Sequence, residues 1–467
     1  MAFKVVILAA GKGTRFKSDL PKVLHKILGK PMLWYVVKAA KESGAKEVIV
    51  VVGHKKELVE DFLKKEFPDV KTVYQEEQLG TGHAVMCAEK LLENFSGKVV
   101  VLNGDTPLVE PDEIKKLASS DGDLAVLTTF LDDPTGYGRI VREGDEVLKI
   151  VEEKDANDFE RKIKEVNTGI YAFSSQKLLE ALKKLDNNNA QNEYYLTDTV
   201  KIFKEKNWKV VSVLAKDSRN VIGINNRFEL SKAEKILKDK IIKELQLSGV
   251  TIHNPETAYI EPEVEIGEDT EIFAPVYIKG KTKIGKGCYI GAYSEIRNST
   301  LKDFVKVENH SWIDGATLES ETSVGPFAKL RPNTYLEEGA KVGTFVETKN
   351  AYLRKGVKAN HLSYLGDCEI GENTNIGAGT ITCNYDGFNK WRTKIGKNVF
   401  VGSNTLFIAP VEVGDNSITA AGSVITQNVP ENTLAVARAK QVNLVGKAEK
   451  IRERARRKKD EHSPKNS

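Results

Sequence analysis

Cysteine is scarce in this chain of 467 residues, and the four present, Cys87, Cys288, Cys368 and Cys383, are too scattered for a disulfide framework or a CxxC metal pair. A reducing cytoplasm is the expected compartment. Long apolar runs are missing too: the longest, residues 48–52 and 99–102, fall far short of the roughly 20 residues of a membrane span. The apolar start, residues 3–10, has no basic segment before it and runs straight into Gly11-Lys12-Gly13-Thr14-Arg15, which reads as a first β-strand and not a signal peptide. Net charge is nearly absent. The formal +4 is carried by residues 451–467, where seven Lys/Arg face three Asp/Glu. The remaining 450 residues are neutral, so no nucleic-acid partner is expected; the tail, 452–467, could touch nucleic acid or anionic surfaces, but a solvated, disordered end is the commoner meaning of such a run, and no function is assigned to it.

What the chain does have is a six-residue register. Ile260, Ile266, Ile272, Ile278, Ile284, Ile290 and Ile296 keep one phase that neither a helix nor a strand period produces alone. The register slips near Leu301, returns as Val324, Leu330, Leu336 and Val342, then as Ile370 and Ile376, and finally as Ile395, Val401, Phe407 and Val413. Such self-similarity marks a solenoid. Glycine often follows the aliphatic residue, as in Ile266-Gly267 and Ile284-Gly285, a bulkless and conformationally permissive neighbour suited to tight turns. Three short strands per coil would stack their aliphatics inside a triangular prism. This pattern resembles the left-handed parallel β-helix of hexapeptide-repeat acyltransferases.

Before the array, strand-like runs at 5–8, 48–52, 99–102 and 124–127 alternate with amphipathic helical stretches, the pattern of a mainly parallel, Rossmann-like α/β sheet. Residues 228–248 have helical periodicity and no Gly or Pro. The expected organisation is an α/β domain over 1–228, a helical linker over 229–248, the β-helix over 249–451 and the tail.

A glycine-rich loop follows the first strand, where backbone N–H groups could face phosphate oxygens beside Lys12 and Arg15. It is no P-loop, lacking a closing GK[ST], and no dinucleotide fingerprint, since Phe16 replaces the third glycine. An isolated GxG turn is often only structural. Its company is informative: LAAGKGTR, Pro21-Lys22, EQLGTGHA, NGD, PTGYGRI, VEEKD, NTGI and GINNR occur in this order. The set resembles the sugar-1-phosphate nucleotidyltransferases, in detail the uridyltransferase half of the bacterial family of bifunctional N-acetylglucosamine-1-phosphate uridyltransferase/glucosamine-1-phosphate N-acetyltransferases. The resemblance implies that Asp105 and Asn225 hold Mg²⁺ and that Arg15 and Lys22 stabilise departing pyrophosphate. By the same likeness Leu8, Ala9, Ala10, Gly11 and Asn103 line the nucleotide, although many relatives carry an aromatic residue at the position of Asn103. It further implies that Gln75, Gly80 and Thr81 read uracil and that Gly138, Glu152, Asn167 and Thr168 hold the amino sugar.

In the second half His361 stands where the register is interrupted, and interruptions in a solenoid read as surface loops, where sites are built. A lone histidine is more often structural, and His25, His54, His83, His253, His310 and His462 are read so; none has HExxH spacing. His361 differs in its company of Arg331, Lys349, Tyr364, Asn375 and an insertion at 382–393 that breaks the repeat. These positions resemble the acetyltransferase half of the same family. That likeness implies His361 as general base, Arg331 and Lys349 on the sugar phosphate, Tyr364 and Asn375 placing the sugar, and Ala378, Asn384, Tyr385, Ser403, Ala421 and Arg438 lining the acetyl-CoA groove. UTP, N-acetylglucosamine-1-phosphate, glucosamine-1-phosphate and acetyl-CoA are the implied substrates. A homotrimer is the expected assembly, because prisms close against one another. Two rivals remain at this point: another bifunctional sugar-nucleotide enzyme with a different base or sugar, and a non-catalytic interaction protein pairing the same two folds.

Overall fold

Alternation along the first strand, Phe3–Ala9, sends Val5 and Ile7 to one hydrophobic core and Val6 to another, so this strand must be covered on both faces. It is central in its sheet. A computed structural model describes residues 2–462, with side chains to 459. The strand order is Val210–Leu214, Leu124–Phe130, Glu165–Ser174, Lys98–Asn103, Phe3–Ala9, Glu47–Val52 and Lys71–Tyr74. Only Glu165–Ser174 in this row runs antiparallel to its neighbours. Its register breaks between Asn167 and Tyr171, a bulge that re-aims Asn167, Thr168 and Gly169. The hairpin Arg139–Glu143 and Glu146–Val151 attaches there through Val166 and Arg139.

The helix expected over 228–248 spans Arg227–Leu247. It is held on the first part of the chain: Glu234 accepts the Leu28 N–H at 3.1 Å, Lys240 reaches Glu110 at 2.9 Å, and Ala233 and Ile242 are buried. The chain divides into two compact units, Met1–Lys243 and Glu244–Ser467, inside this helix and not before it.

The second unit is a parallel β-helix in which most strands pair with the third after them, while the two long strands Lys341–Leu353 and Lys358–Ile370 pair directly with each other. Ile272, Ile278, Ile290 and Ile296 are fully buried in its bore. Coil length explains the slips in register. Tyr277 lies beside Glu295, eighteen residues on, whereas Lys283 lies beside Thr300, seventeen on. Each slip is thus a coil shortened by one residue. The insertion lengthens one coil to twenty-five, Glu369 pairing with Lys394.

Two expectations are corrected here. Most glycines after the inward aliphatics are needed for close approach and not for permissive backbone: a Cβ on Gly267 would lie 2.7 Å from the Gly285 carbonyl carbon, and one on Gly371 only 2.4 Å from that of Gly396, whereas Gly325 has a φ of 95°. The positive-φ residues come two positions later, as at Asp269 and Asn373. The tail, expected to be disordered from 452, is instead helical over Lys447–His462. Its Lys, Arg, Glu and Ala are strong helix formers with no Gly or Pro among them, which outweighs the lack of a packed face. Residues 463–467, and the side chains from 460 onward including His462, lie outside the described residues.

Candidate active sites

Parallel pairing sets the strand ends of the first unit in a row: Ala9 lies beside Val52, Val52 beside Tyr74, and Leu8 beside Asn103. Loops leaving that edge carry the expected residues to the crevice outside the carboxyl ends of the strands. Lys22 Nζ donates to Asp105 Oδ2 and, at 3.0 Å, to Asn225 Oδ1, while Arg15 donates to the same Asn225 oxygen at 2.8 Å. Four residues spread over 210 positions thus meet through two oxygens. Gly13, in the left-handed region, makes this possible, since a Cβ there would lie 2.5 Å from the Lys22 Cβ. Leu8 O accepts the Gly104 N–H and Ala10 O the His54 N–H, so the glycine-rich loop is tied at both edges, with Gly11 exposed at its tip.

Gln75 is buried, its amide donating to Gly80 O at 3.1 Å and meeting His83 Nδ1 at the same distance. His83, read from sequence as structural, belongs to this pocket. Thr81 Oγ1 accepts the Leu196 N–H at 3.1 Å. The expected amino-sugar residues also come together. Gly138 O accepts the Asn167 N–H at 2.8 Å, and a Cβ on Gly138 would lie 3.5 Å from the Glu152 carboxylate. Thr197, missed in the sequence, donates to Glu152 Oε1 at 3.3 Å; Asn167 donates to the Tyr171 hydroxyl at 2.6 Å. Thr168 turns away, its hydroxyl donating to Leu127 O at 2.8 Å. Asn103 Nδ2 leans on Thr168 O at 3.4 Å, and Gly169 beside it has a φ of 76°, which favours glycine.

In the second unit His361 is not on a loop. It sits in the continuous strand Lys358–Ile370, paired through Thr344 to the strand Lys341–Leu353, because backbone pairing carries around the prism corners at Phe345 and Leu362. Its side chain is exposed, and Ser363 donates to its carbonyl at 2.9 Å. Tyr364 lies beside Glu347, Gly366 beside Lys349, and Asn375 beside Lys358. Arg331 pairs with Glu347 at 2.9 Å. Lys349 is pushed below the ordinary lysine value by Lys390 first and Arg331 next, so three cations converge. Lys390 escaped the sequence reading because it lies in the insertion, outside any repeat.

That insertion is folded on itself. Tyr385 bridges Lys390, Trp391 donates to Asp386 at 2.7 Å, and the Asp386 carboxyl is pulled to about 2, chiefly by the Asn389 N–H. Asn384 donates to Asp367, which also accepts from Asn350 at 2.6 Å. Ala378, Ser403, Ala421 and Arg438 form one line along a prism corner, each linked to the next coil: Asn404 N to Ala378 O at 2.7 Å, Gly422 N to Ser403 O at 2.8 Å, and Arg438 to Ala421 O at 2.9 Å. Leu362 O, next to His361, accepts from Gly379 N at 2.7 Å and begins that line.

Comparison with known proteins follows this division. A nucleotidyl transferase family profile matches residues 4–255, and a profile of the bacterial transferase hexapeptide (six repeats) matches residues 392–427. The bifunctional protein GlmU of Streptococcus agalactiae serotype V is 47% identical over 96% of this chain and 98% of its own length. That of Fervidobacterium nodosum is 50% identical with the same coverage, and that of Caldanaerobacter subterraneus subsp. tengcongensis 48% identical over 94% of this chain and 96% of its own. With likeness of this extent across both units, the chain belongs to the nucleotidyl transferase family and, within it, to the bifunctional GlmU proteins.

Proposed function

We propose a division of two successive reactions between the two units. The enzyme transfers acetyl from acetyl-CoA to glucosamine-1-phosphate, then uridylyl from UTP to N-acetylglucosamine-1-phosphate, giving UDP-N-acetylglucosamine and pyrophosphate for cell-wall synthesis. Acetyl transfer belongs to the β-helix and uridylyl transfer to the sheet. The meeting of Arg15, Lys22, Asp105 and Asn225 carries this reading.

Uridylyl transfer needs the sugar phosphate oxygen to attack the α-phosphorus while pyrophosphate leaves, so positive charge must face the departing oxygens. Arg15 and Lys22 supply it. The oxygens of Asp105 and Asn225 both accept from the Lys22 ammonium, so hard oxygen donors converge where a cation is already held. This suits Mg²⁺, which takes one or two protein oxygens and completes its shell with phosphate and water. Among the described residues no group of three or more His, Cys, Asp or Glu could hold a metal, so the proposed site is of that sparse kind. Mg²⁺ bound there would neutralise nucleotide phosphate charge. Gln75, Gly80 and Thr81 face uracil; Gly138, Glu152 and Asn167 orient the sugar.

In acetyl transfer the sugar amine attacks the thioester carbonyl, a nitrogen–carbon bond forms, and the carbon–sulfur bond breaks to release coenzyme A. His361 takes the amine proton. Arg331, Lys349 and Lys390 hold the sugar phosphate, while Tyr364 and Asn375 place the ring. Asn384, Tyr385 and the corner line Ala378, Ser403, Ala421 and Arg438 receive acetyl-CoA. A homotrimer is supported by the corner stack Tyr293, His310, Phe327 and Phe345, with ring centroids 4.8, 4.9 and 5.5 Å apart. Tyr293 and Phe345 are each 61% exposed and Leu362, beside His361, is 62% exposed. Such an apolar ridge favours burial against another copy. Substrates of this class support a cytoplasmic location. No helix among the described residues is long and apolar enough to cross a membrane.

Asp105→Ala tests the assignment. Pyrophosphate release should fall by at least about a hundredfold at saturating Mg²⁺ while acetyl transfer stays at the parent rate. Near-normal pyrophosphate release would remove Asp105 from the reaction.

A further inference from the structure

Asn225 is held from behind by a carboxylate that neither reaction has so far used. Glu229 lies in the first turn of the helix Arg227–Leu247. Its Oε1 accepts from Asn226 Nδ2 at 2.6 Å, and its own N–H donates to Asn226 Oδ1 at 2.9 Å. The second of these is an N-cap bond, and the first ties the two side chains together. The third bond is not part of a cap: Oε2 reaches one residue further out and accepts the Asn225 backbone N–H at 2.7 Å. A charged acceptor on a backbone N–H makes a short, strong bond of defined direction.

The rest of Asn225 is tied just as fully. Its Nδ2 donates to Gly223 O at 3.2 Å, which leaves Oδ1 aimed at Lys22 and Arg15. The same turn is locked to Asp105: Ile224 N donates to Asp105 O at 2.9 Å, and a Cβ on Gly223 would lie 3.2 Å from Asp105 Oδ1. Glu229 therefore fixes the backbone from which one of the two site oxygens is presented, while the Asp105 contacts fix the other.

We propose that Glu229 is a positioning residue for uridylyl transfer, holding the Asn225 side-chain oxygen where it and Asp105 share a divalent cation. The proposal rests on the reading of Asp105 and Asn225 as the metal pair. Partners that orient metal ligands in this way typically govern affinity by 10–100-fold.

The decisive readout is Mn²⁺ binding to the protein with UDP-N-acetylglucosamine present, followed by electron paramagnetic resonance of the free ion, beside the Mg²⁺ activation constant for pyrophosphate release. Glu229→Ala should weaken both by about tenfold or more, with acetyl transfer at the parent rate reporting an intact chain. Glu229→Gln keeps an oxygen for the Asn225 N–H and should stay within about threefold of the parent. Asn226→Ala removes the cap but leaves Glu229 on Asn225, so its Mn²⁺ affinity should match the parent. Parent-like Mn²⁺ binding by Glu229→Ala, or binding by Asn226→Ala as weak as that of Glu229→Ala, would overturn the proposal and leave Glu229 as a cap alone. Asn225→Ala separates the two failures: if it binds Mn²⁺ like the parent, the metal reading itself is wrong, whereas if it alone loses the ion, only the role of Glu229 falls.

Discussion

Burial raises the Glu152 carboxyl above the ordinary glutamate value of 4.5, with Asp198 and Asp155 adding to the rise and Thr197 and Arg139 opposing it. The folded chain thus keeps this proton at a pH where the unfolded chain has lost it. Stability from the protonated form is complete below the ordinary value, declines as pH rises through the interval up to the folded value, and is flat above. Glu152→Gln removes that dependence. Its melting temperature should gain on the parent over a pH series rising from the ordinary glutamate value of 4.5, while KM for N-acetylglucosamine-1-phosphate rises. A difference in melting temperature constant across that range would show that Glu152 is not desolvated. Gly138, Glu152 and Asn167 were legible because they fall in short motifs. Thr197, Lys390 and Glu229 were not: Thr197 stands 45 positions from the carboxylate it meets, and no spacing rule connects them.

At the scale of elements, the six-residue register showed the β-helix, and the strands at 5–8, 48–52, 99–102 and 124–127 all appear inside longer observed strands. Two features were hidden. A coil of seventeen residues looks in sequence like a lost phase, because a one-residue deletion at a corner shifts every later aliphatic while backbone pairing continues unbroken. For the same reason the segment around His361 read as a loop although it is strand. The bore depends on tight stacking, with Ile278 at 0% exposure between Ile260 and Ile296. Ile278→Ala should cost about 2–5 kcal/mol in denaturant unfolding of the second unit. A loss below about 0.5 kcal/mol would mean that the bore collapses around the gap. The helix Lys447–His462 has no buried residue over its described side chains, so its exposure was legible while its helicity was not.

In the whole molecule two folds are joined whose proposed sites share no residue; the proposed uridylyl site needs only one copy, and the proposed acetyl site runs along an exposed apolar corner. If copies assemble on that corner, dilution should lower acetyl transfer before pyrophosphate release, and light scattering should report three chains in active samples. A fully active sample with the mass of one chain would contradict the trimer. Both folds and most of the chemistry were readable because both depend on local patterns; how Arg15, Lys22, Asp105 and Asn225 meet was not, since only the folded sheet joins residues 203 positions apart. The central claim is two independent chemistries on one chain, and His361→Ala tests it most directly. The measurement is coenzyme A thiol release from acetyl-CoA and glucosamine-1-phosphate, run beside pyrophosphate release on the same preparation. Because His361 is exposed on a rigid coil, thiol release should fall by about 10²–10⁴-fold, with pyrophosphate release and the melting curve unchanged. Thiol release at the parent rate, or a joint fall of both activities, would contradict the account.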